Sequence, residues 1–159
     1  MLLGKKRKIG RKIDEISVGE KLEISEKIED KDLLLYLGLS NDNNPLFIQH
    51  DYASLTPYKK PIVPQIMLLG LITGAISKYL PGPGSCITHQ EVSFLNPVYH
   101  YATVQFKFEV TDVDHEGHCV EINVEGFDEE ENKVLQGTFK VCPPYPTKPL
   151  TATTAFENF

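Results

Sequence analysis

Three features of the sequence predict an α+β domain in which an antiparallel β-sheet wraps around one long, buried, apolar helix. The first is PIVPQIMLLGLITGAISKYLPGPG (61–84), where Lys78 is the only charge between Ile66 and Leu80. A soluble helix that is apolar on every face must be covered on every face. The second is a change of period after residue 84: SCITHQEVSFLNPV (85–98), ATVQFKFEVTDVD (102–114), HCVEINVEGFD (118–128) and KVLQGTFKVC (133–142) alternate apolar and polar residues with β-branched enrichment. The third is the turn-forming residues of NPVYH, DHEG and DEEEN between those segments, which predict an antiparallel meander. The helix is then the element that the sheet encloses.

Along the chain, a basic arm (1–15) precedes the domain (16–143), and a Pro-rich tail laid on the surface (144–159) follows it. ISVGEKLEISEKI (16–28) reads as an entry segment and a short strand. Asp30 is positioned to cap a helix over 31–39, with Leu33, Leu34 and Leu37 at helical spacing. SNDNNPLFIQHD (40–51) crowds Ser, Asp, Pro and three Asn into six residues, so it is a turn or loop rather than a helix interior. One short helical turn is expected in HDYASLTPYKKP before Pro57. Pro64 sits where the long helix starts, because its missing N–H is unpaired there in any case. Gly70, Gly74 and Ser77 then form a smooth stripe that lets another backbone approach, and PGPG ends the helix.

Composition bounds the function. With 159 residues, 41% hydrophobic and 24% charged, the chain is expected to form one soluble globular domain. The net charge of −6 is uneven: Lys5, Lys6, Arg7, Lys8, Arg11 and Lys12 carry +6, leaving 10 Lys/Arg against 22 Asp/Glu in the remainder. The acidic body argues against a nucleic-acid-binding domain. The basic arm reads as a solvated, partly ordered terminus, with contact to a phosphorylated ligand as the sharper alternative. No signal peptide is evident, and the longest apolar run, about eleven residues, is far short of the roughly twenty needed to span a bilayer. Cys86, Cys119 and Cys142 are odd in number and lack CxxC spacing, which predicts reduced thiols and a cytoplasmic protein without a membrane partner. His115 and His118 flank Gly117 in a sequence that predicts a hairpin turn, and no metal site is expected there.

A helix wrapped by an antiparallel sheet is the hotdog architecture, and five motifs in order carry a more specific resemblance. They are VGEKL, LGLSNDNNPLF followed by YA, PIV before the long helix, LPGPGS after it, and Q-x-x-x-F-x-x-P-V at Gln90 to Val98. From about Ile16 to Val141 the chain resembles the MaoC-like dehydratases, the hotdog family that includes (R)-specific enoyl-CoA hydratases. The family pattern Asp-x-Asn-Pro-(Ile/Leu)-His-x-Asp is met by Asp42, Asn44, Pro45 and Leu46. Phe47 stands where the pattern has His, and Gln49 where it has the second Asp.

That resemblance implies a chemistry. Adding water across an α,β-unsaturated thioester needs a group that activates water, a proton donor for the α-carbon, and donors for the enolate-like oxygen. The family uses the Asp and His together on one water. Asp42 is retained, but Phe47 neither accepts nor donates a proton, and loss of one positioned acid or base costs about 10²–10⁴ in rate. His50 and His89 are the candidate substitutes, His50 first. His100, in a loop where the family tends to have Gly, is given no role. Pro64, Gln65 and Ile66 begin the long helix, where unpaired N–H groups suit a thioester oxygen. Gly70 lies where some members place a Ser near the acyl chain. Asn44 is expected to hold the turn and Phe47 to line the pocket. Asp42 has its own structural alternative, an Asx turn bonding its own backbone.

Three functions stay open on the residues. One is an (R)-specific enoyl-CoA hydratase or 3-hydroxyacyl-thioester dehydratase of weak or altered activity, with no cofactor beyond coenzyme A or acyl carrier protein as substrate carrier. The second is a non-catalytic acyl-thioester-binding subunit or sensor. The third is a hotdog acyl-CoA thioesterase. In each case the partner is an acyl-thioester small molecule, and a homodimer, a higher homo-oligomer or a heteromer is expected.

Overall fold

Residues 8–147 are described by the structure, a computed structural model. Five strands, β1 (Lys21–Lys27), β2 (Cys86–Phe94), β3 (Thr103–Asp114), β4 (Cys119–Phe127) and β5 (Lys133–Cys142), form one sheet in the order β1-β3-β4-β5-β2. Every neighbouring pair is antiparallel. The expected meander holds for β3, β4 and β5 only. β2 crosses to the far edge and pairs with β5 from Cys86↔Cys142 to Phe94↔Leu135, leaving its other edge without a strand partner among the described residues.

Alternation puts Val104, Phe106, Phe108 and Val110 of β3 on one face, beside Val120, Ile122 and Val124 of β4. Cross-strand partners match apolar to apolar, as in Phe108↔Val124, Ile122↔Phe139 and Val120↔Val141. Helix α4 (Gln65–Tyr79) lies on this face through Leu68, Ile72, Ala75 and Ile76, continued by Leu80 just beyond its end. Burying each of the larger side chains is worth roughly 1.5–3 kcal/mol, which makes this contact the centre of the core.

The expectation that α4 is covered all round does not hold within one chain. Ile66 is 51% exposed, Thr73 and Ser77 are exposed, and a Cβ added to Gly70 or Gly74 would meet no atom within 4 Å. The sheet covers one face of a helix, and the small residues on the other face leave a smooth, open surface.

Helix α1 (Asp30–Ser40) starts one residue earlier than expected. Glu29, not Asp30, is its N-cap, and the Glu29 N–H donates to the Asp32 carboxylate at 3.0 Å. None of its residues is buried, and Leu34, Leu35 and Leu39 are 67%, 73% and 90% exposed. Two short helical segments follow, α2 (Pro45–Ile48) and α3 (His50–Ser54). The loop reading of residues 40–51 therefore omitted α2, which Asn44 caps by accepting the Leu46 N–H at 3.0 Å.

Within the described part of the basic arm Lys8 and Lys12 are exposed, and Gly10 and Arg11 are pinned by their backbones. The Gly10 N–H donates to Pro83 O at 2.8 Å and the Arg11 N–H to Pro81 O at 2.9 Å. A Cβ on Gly10 would lie 2.5 Å from Pro81 O, so only glycine permits this approach. Lys5, Lys6 and Arg7 lie outside the described residues. In the Pro-rich tail Pro144 is buried and residues 145–147 are exposed, while 148–159 lie outside the described residues. No helix among the described residues is long and apolar enough to cross a membrane.

Candidate active site

The site is built where α1 ends. Asn41 adopts the left-handed conformation (φ 54°, ψ 29°) that short polar side chains tolerate, and its N–H donates to Leu37 O at 2.9 Å. The chain therefore reverses and brings Asp42 back beside the last turns of the helix. There the Tyr36 hydroxyl donates to Asp42 Oδ2 at 2.8 Å, and the Asn44 N–H donates to Oδ1 at 3.0 Å. Ser40 tightens the reversal: its hydroxyl donates to Tyr36 O at 2.7 Å and its Oγ accepts the Asp42 N–H at 3.2 Å. Asp42 thus makes the Asx turn and also holds a phenol. Its hydrogen bond to Asp42, aided by partial burial, pushes the Tyr36 phenol above the ordinary tyrosine range.

Tyr36 lines an apolar groove of about 630 Å³ between α1 and α4. Leu35 and Leu39 form one wall, Ile66, Met67, Leu69 and Gly70 the other, and Gln90 of β2 also borders it. At the groove's α4 end the backbone N–H groups of Gln65 and Ile66 make no hydrogen bond among the described residues, whereas the Met67 N–H is already given to Pro64 O at 3.0 Å. Pro64, the N-cap, has no N–H to offer, so the free donors at this helix start are those of Gln65 and Ile66. The Gln65 side chain turns elsewhere, toward a smaller cavity of about 160 Å³ beside Leu68 and Phe94.

Phe47 and His50 stand apart from this groove. Both line a second cleft, of about 660 Å³, on the other flank of α1 with Leu33, Leu34, Leu37, Pro61 and His100. Phe47 is buried there and His50 is exposed. The structure therefore puts Ile66 and Gly70 in the groove with Tyr36, joins Asp42 to it through the Tyr36 hydroxyl and Asn44 to Asp42, and sets Phe47 and His50 on the opposite side of α1. His89 is exposed on β2 and does not border the groove, although its neighbour Gln90 does. His115 Nδ1 lies 3.3 Å from the Asp14 carboxylate, whereas the His118 ring stacks on Tyr145. Cys86, Cys119 and Cys142 are all free.

Tyr36 is the site residue that the sequence reading missed. Its signal was present: it is the only residue with a polar side chain between Asp32 and Ser40, one helical turn before Ser40.

An antiparallel sheet laid on a single long helix, with a loop reversing beside the helix start, defines a hotdog-fold protein. Residues 14–133 match the family described as MaoC like domain, and the chain belongs to that family. It is 33% identical over 98 residues to an (R)-specific enoyl-CoA hydratase of Rhodospirillum rubrum, covering 62% of this chain and 68% of that protein. Against the (R)-specific enoyl-CoA hydratase of Aeromonas caviae it is also 33% identical over 96 residues, covering 60% of this chain and 72% of the relative. The unliganded R-hydratase PhaJ1 of Pseudomonas aeruginosa superposes with a TM-score of 0.79 at 28% identity, over 86% of this chain and 88% of that one. The ChsH1–ChsH2 complex of Mycobacterium tuberculosis shares the fold, with a TM-score of 0.71 at 21% identity over 80% of this chain and 98% of that one. The chain is of the MaoC-like hydratase type.

Proposed function

We propose that this protein hydrates trans-2-enoyl thioesters, or dehydrates the corresponding (R)-3-hydroxyacyl thioesters, with Asp42 and Tyr36 as its proton-transfer pair. The observation that carries the reading is the 2.8 Å hydrogen bond between Tyr36 and Asp42 at an apolar groove that begins at the start of α4. In this reading the acyl chain lies along Leu35, Leu39, Met67 and Gly70, and the thioester oxygen accepts the Gln65 and Ile66 N–H groups. Asn44 holds the loop by capping α2.

The proton balance closes within the pair. Asp42 takes a proton from water as the water oxygen bonds to the β-carbon, and the thioester becomes enolate-like. Tyr36 then gives its phenolic proton to the α-carbon, and the proton on Asp42 passes along their shared hydrogen bond to restore the phenol. No cofactor enters; coenzyme A or acyl carrier protein carries the substrate. His50, on the far flank of α1, has no step in this scheme.

The protein works as a homodimer in this reading, for which the open Gly70–Gly74 face of α4 and the free edge of β2 supply surface. Three free thiols fit a cytoplasmic location. Disappearance of a short trans-2-enoyl-CoA tests the activity, with Asp42→Asn expected to abolish it. Binding of the substrate without turnover would replace this reading with a non-catalytic acyl-thioester subunit. Release of free coenzyme A would replace it with a thioesterase.

A further inference from the structure

Three separate parts of the chain converge beyond the C-terminal end of α4. They are the arm around Lys8–Lys12, the helix end at Lys78 and Tyr79, and the tail at Tyr145. Between them lies a cleft of about 630 Å³, within the size range of small-molecule sites. Its charge opposes that of the molecule. The whole chain carries −6, yet Lys8, Arg11, Lys12 and Lys78 border this cleft against one carboxylate, Glu15.

That carboxylate is already engaged, because Glu15 Oε2 accepts the Lys12 N–H at 2.8 Å. Arg11 is neutralised by Glu20 at 2.5 Å. Lys8, Lys12 and Lys78 form no ion pair among the described residues, so three exposed ammonium groups face one concavity. The arm is held beside it, since Gly10 and Arg11 each donate one backbone hydrogen bond to the Pro81–Pro83 loop.

The cleft also carries flat aromatic surface. Tyr145 is 62% exposed, yet its ring is fixed by stacking on His118, with centroids 3.9 Å apart and planes inclined by 12°. His118 is itself held, its Nε2 lying 2.9 Å from Pro143 O. One face of Tyr145 is therefore used and the other is available, and Tyr79, 57% exposed, borders the same space. Free cations beside a fixed aromatic face recognise a molecule with phosphates and a flat base.

We propose that this cleft binds a nucleoside phosphate, with Lys8, Lys12 and Lys78 on the phosphates and Tyr145 stacked on the base.

Adenosine 3′,5′-bisphosphate, which has neither acyl chain nor thioester, tests the cleft apart from the hydratase reading because its binding does not depend on Asp42, Tyr36 or turnover. Calorimetric titration of the full chain with this probe should show binding that weakens as salt rises. The triple variant Lys8→Glu, Lys12→Glu, Lys78→Glu should bind about tenfold or more weakly, while Lys140→Glu on β5 should match wild type. Tyr145→Ala should weaken the nucleotide about fivefold and leave inorganic pyrophosphate unchanged. Circular dichroism of each variant confirms that these exposed substitutions leave the fold intact. Absence of binding by the folded wild type, or equal binding by the triple variant, overturns the proposal. So does binding to anionic phosphatidylserine vesicles without binding to the nucleotide, which would make the cleft a membrane contact.

Discussion

Tyr36 donates its phenolic hydrogen to Oδ2 of Asp42 at 2.8 Å, across the chain reversal that Asn41 creates at the end of α1. Tyr36→Phe removes only the hydroxyl and should lower kcat for enoyl-CoA hydration by about 10² or more, with KM little changed. A fall in affinity with kcat intact would instead make Tyr36 part of the groove wall. The pH dependence has a definite sign. Donation to Asp42 raises the phenol's pKa above its ordinary value, so the bond's contribution is complete below about pH 10 and is lost as pH rises through the folded-state value. Spectrophotometric titration of tyrosinate should show a late-titrating tyrosine that Tyr36→Phe removes.

Phe47→His restores an imidazole at the family's motif position. Phe47 is 8% exposed beside Leu33, Leu37 and Pro61, so the substitution buries a polar ring and should cost about 1–3 kcal/mol. It should leave the hydration rate unchanged, because Phe47 lines the cleft on the flank of α1 opposite the groove that Tyr36 borders. A gain of about tenfold or more in a folded variant would show instead that this flank of α1 communicates with Asp42.

These two residues mark where the sequence was legible and where it was not. The strands were legible because alternation records a two-sided environment, as in Val104, Phe106, Phe108 and Val110 of β3. The start of α4 was legible from Pro64, and the open stripe from Gly70 and Gly74. The place of β2 was not, because alternation says which side a residue faces and nothing about which strand it pairs with. The Tyr36–Asp42 pair was hidden for a different reason. It depends on one left-handed residue, Asn41, whose φ/ψ decides whether the loop folds back onto the helix or continues away. The uncovered side of α4 was misread because hydrophobicity reports that a surface is to be covered, not which chain covers it.

His100 has both ring nitrogens buried without a hydrogen-bond partner among the described residues. Such groups lose their solvation without recompense, typically costing about 1–3 kcal/mol. His100→Leu keeps a side chain of comparable bulk and removes both orphaned atoms. It should raise stability by about 1 kcal/mol, or about 2–4 °C in Tm for a chain of this size. Urea unfolding should show a higher midpoint with an unchanged slope. A lower midpoint would reveal a favourable contact that the imidazole makes and leucine does not.

Gly74 separates a monomer from a dimer built on α4. Among the described residues no atom lies within 4 Å of a Cβ added there, so Gly74→Leu meets no obstacle from them. Leucine is also the better helix former, by roughly 0.8–1 kcal/mol relative to glycine. In an isolated chain the substitution should therefore be neutral or stabilising. Against a partner backbone packed on the Gly70–Gly74 stripe, the same side chain forces the helices apart. Sedimentation equilibrium should show a dimer for wild type and a shift toward monomer for Gly74→Leu, with helical content retained. Hydratase activity should fall with the dimer if the partner closes the groove between α1 and α4. A variant that stays dimeric would place the contact elsewhere, with the free edge of β2 the next surface to alter.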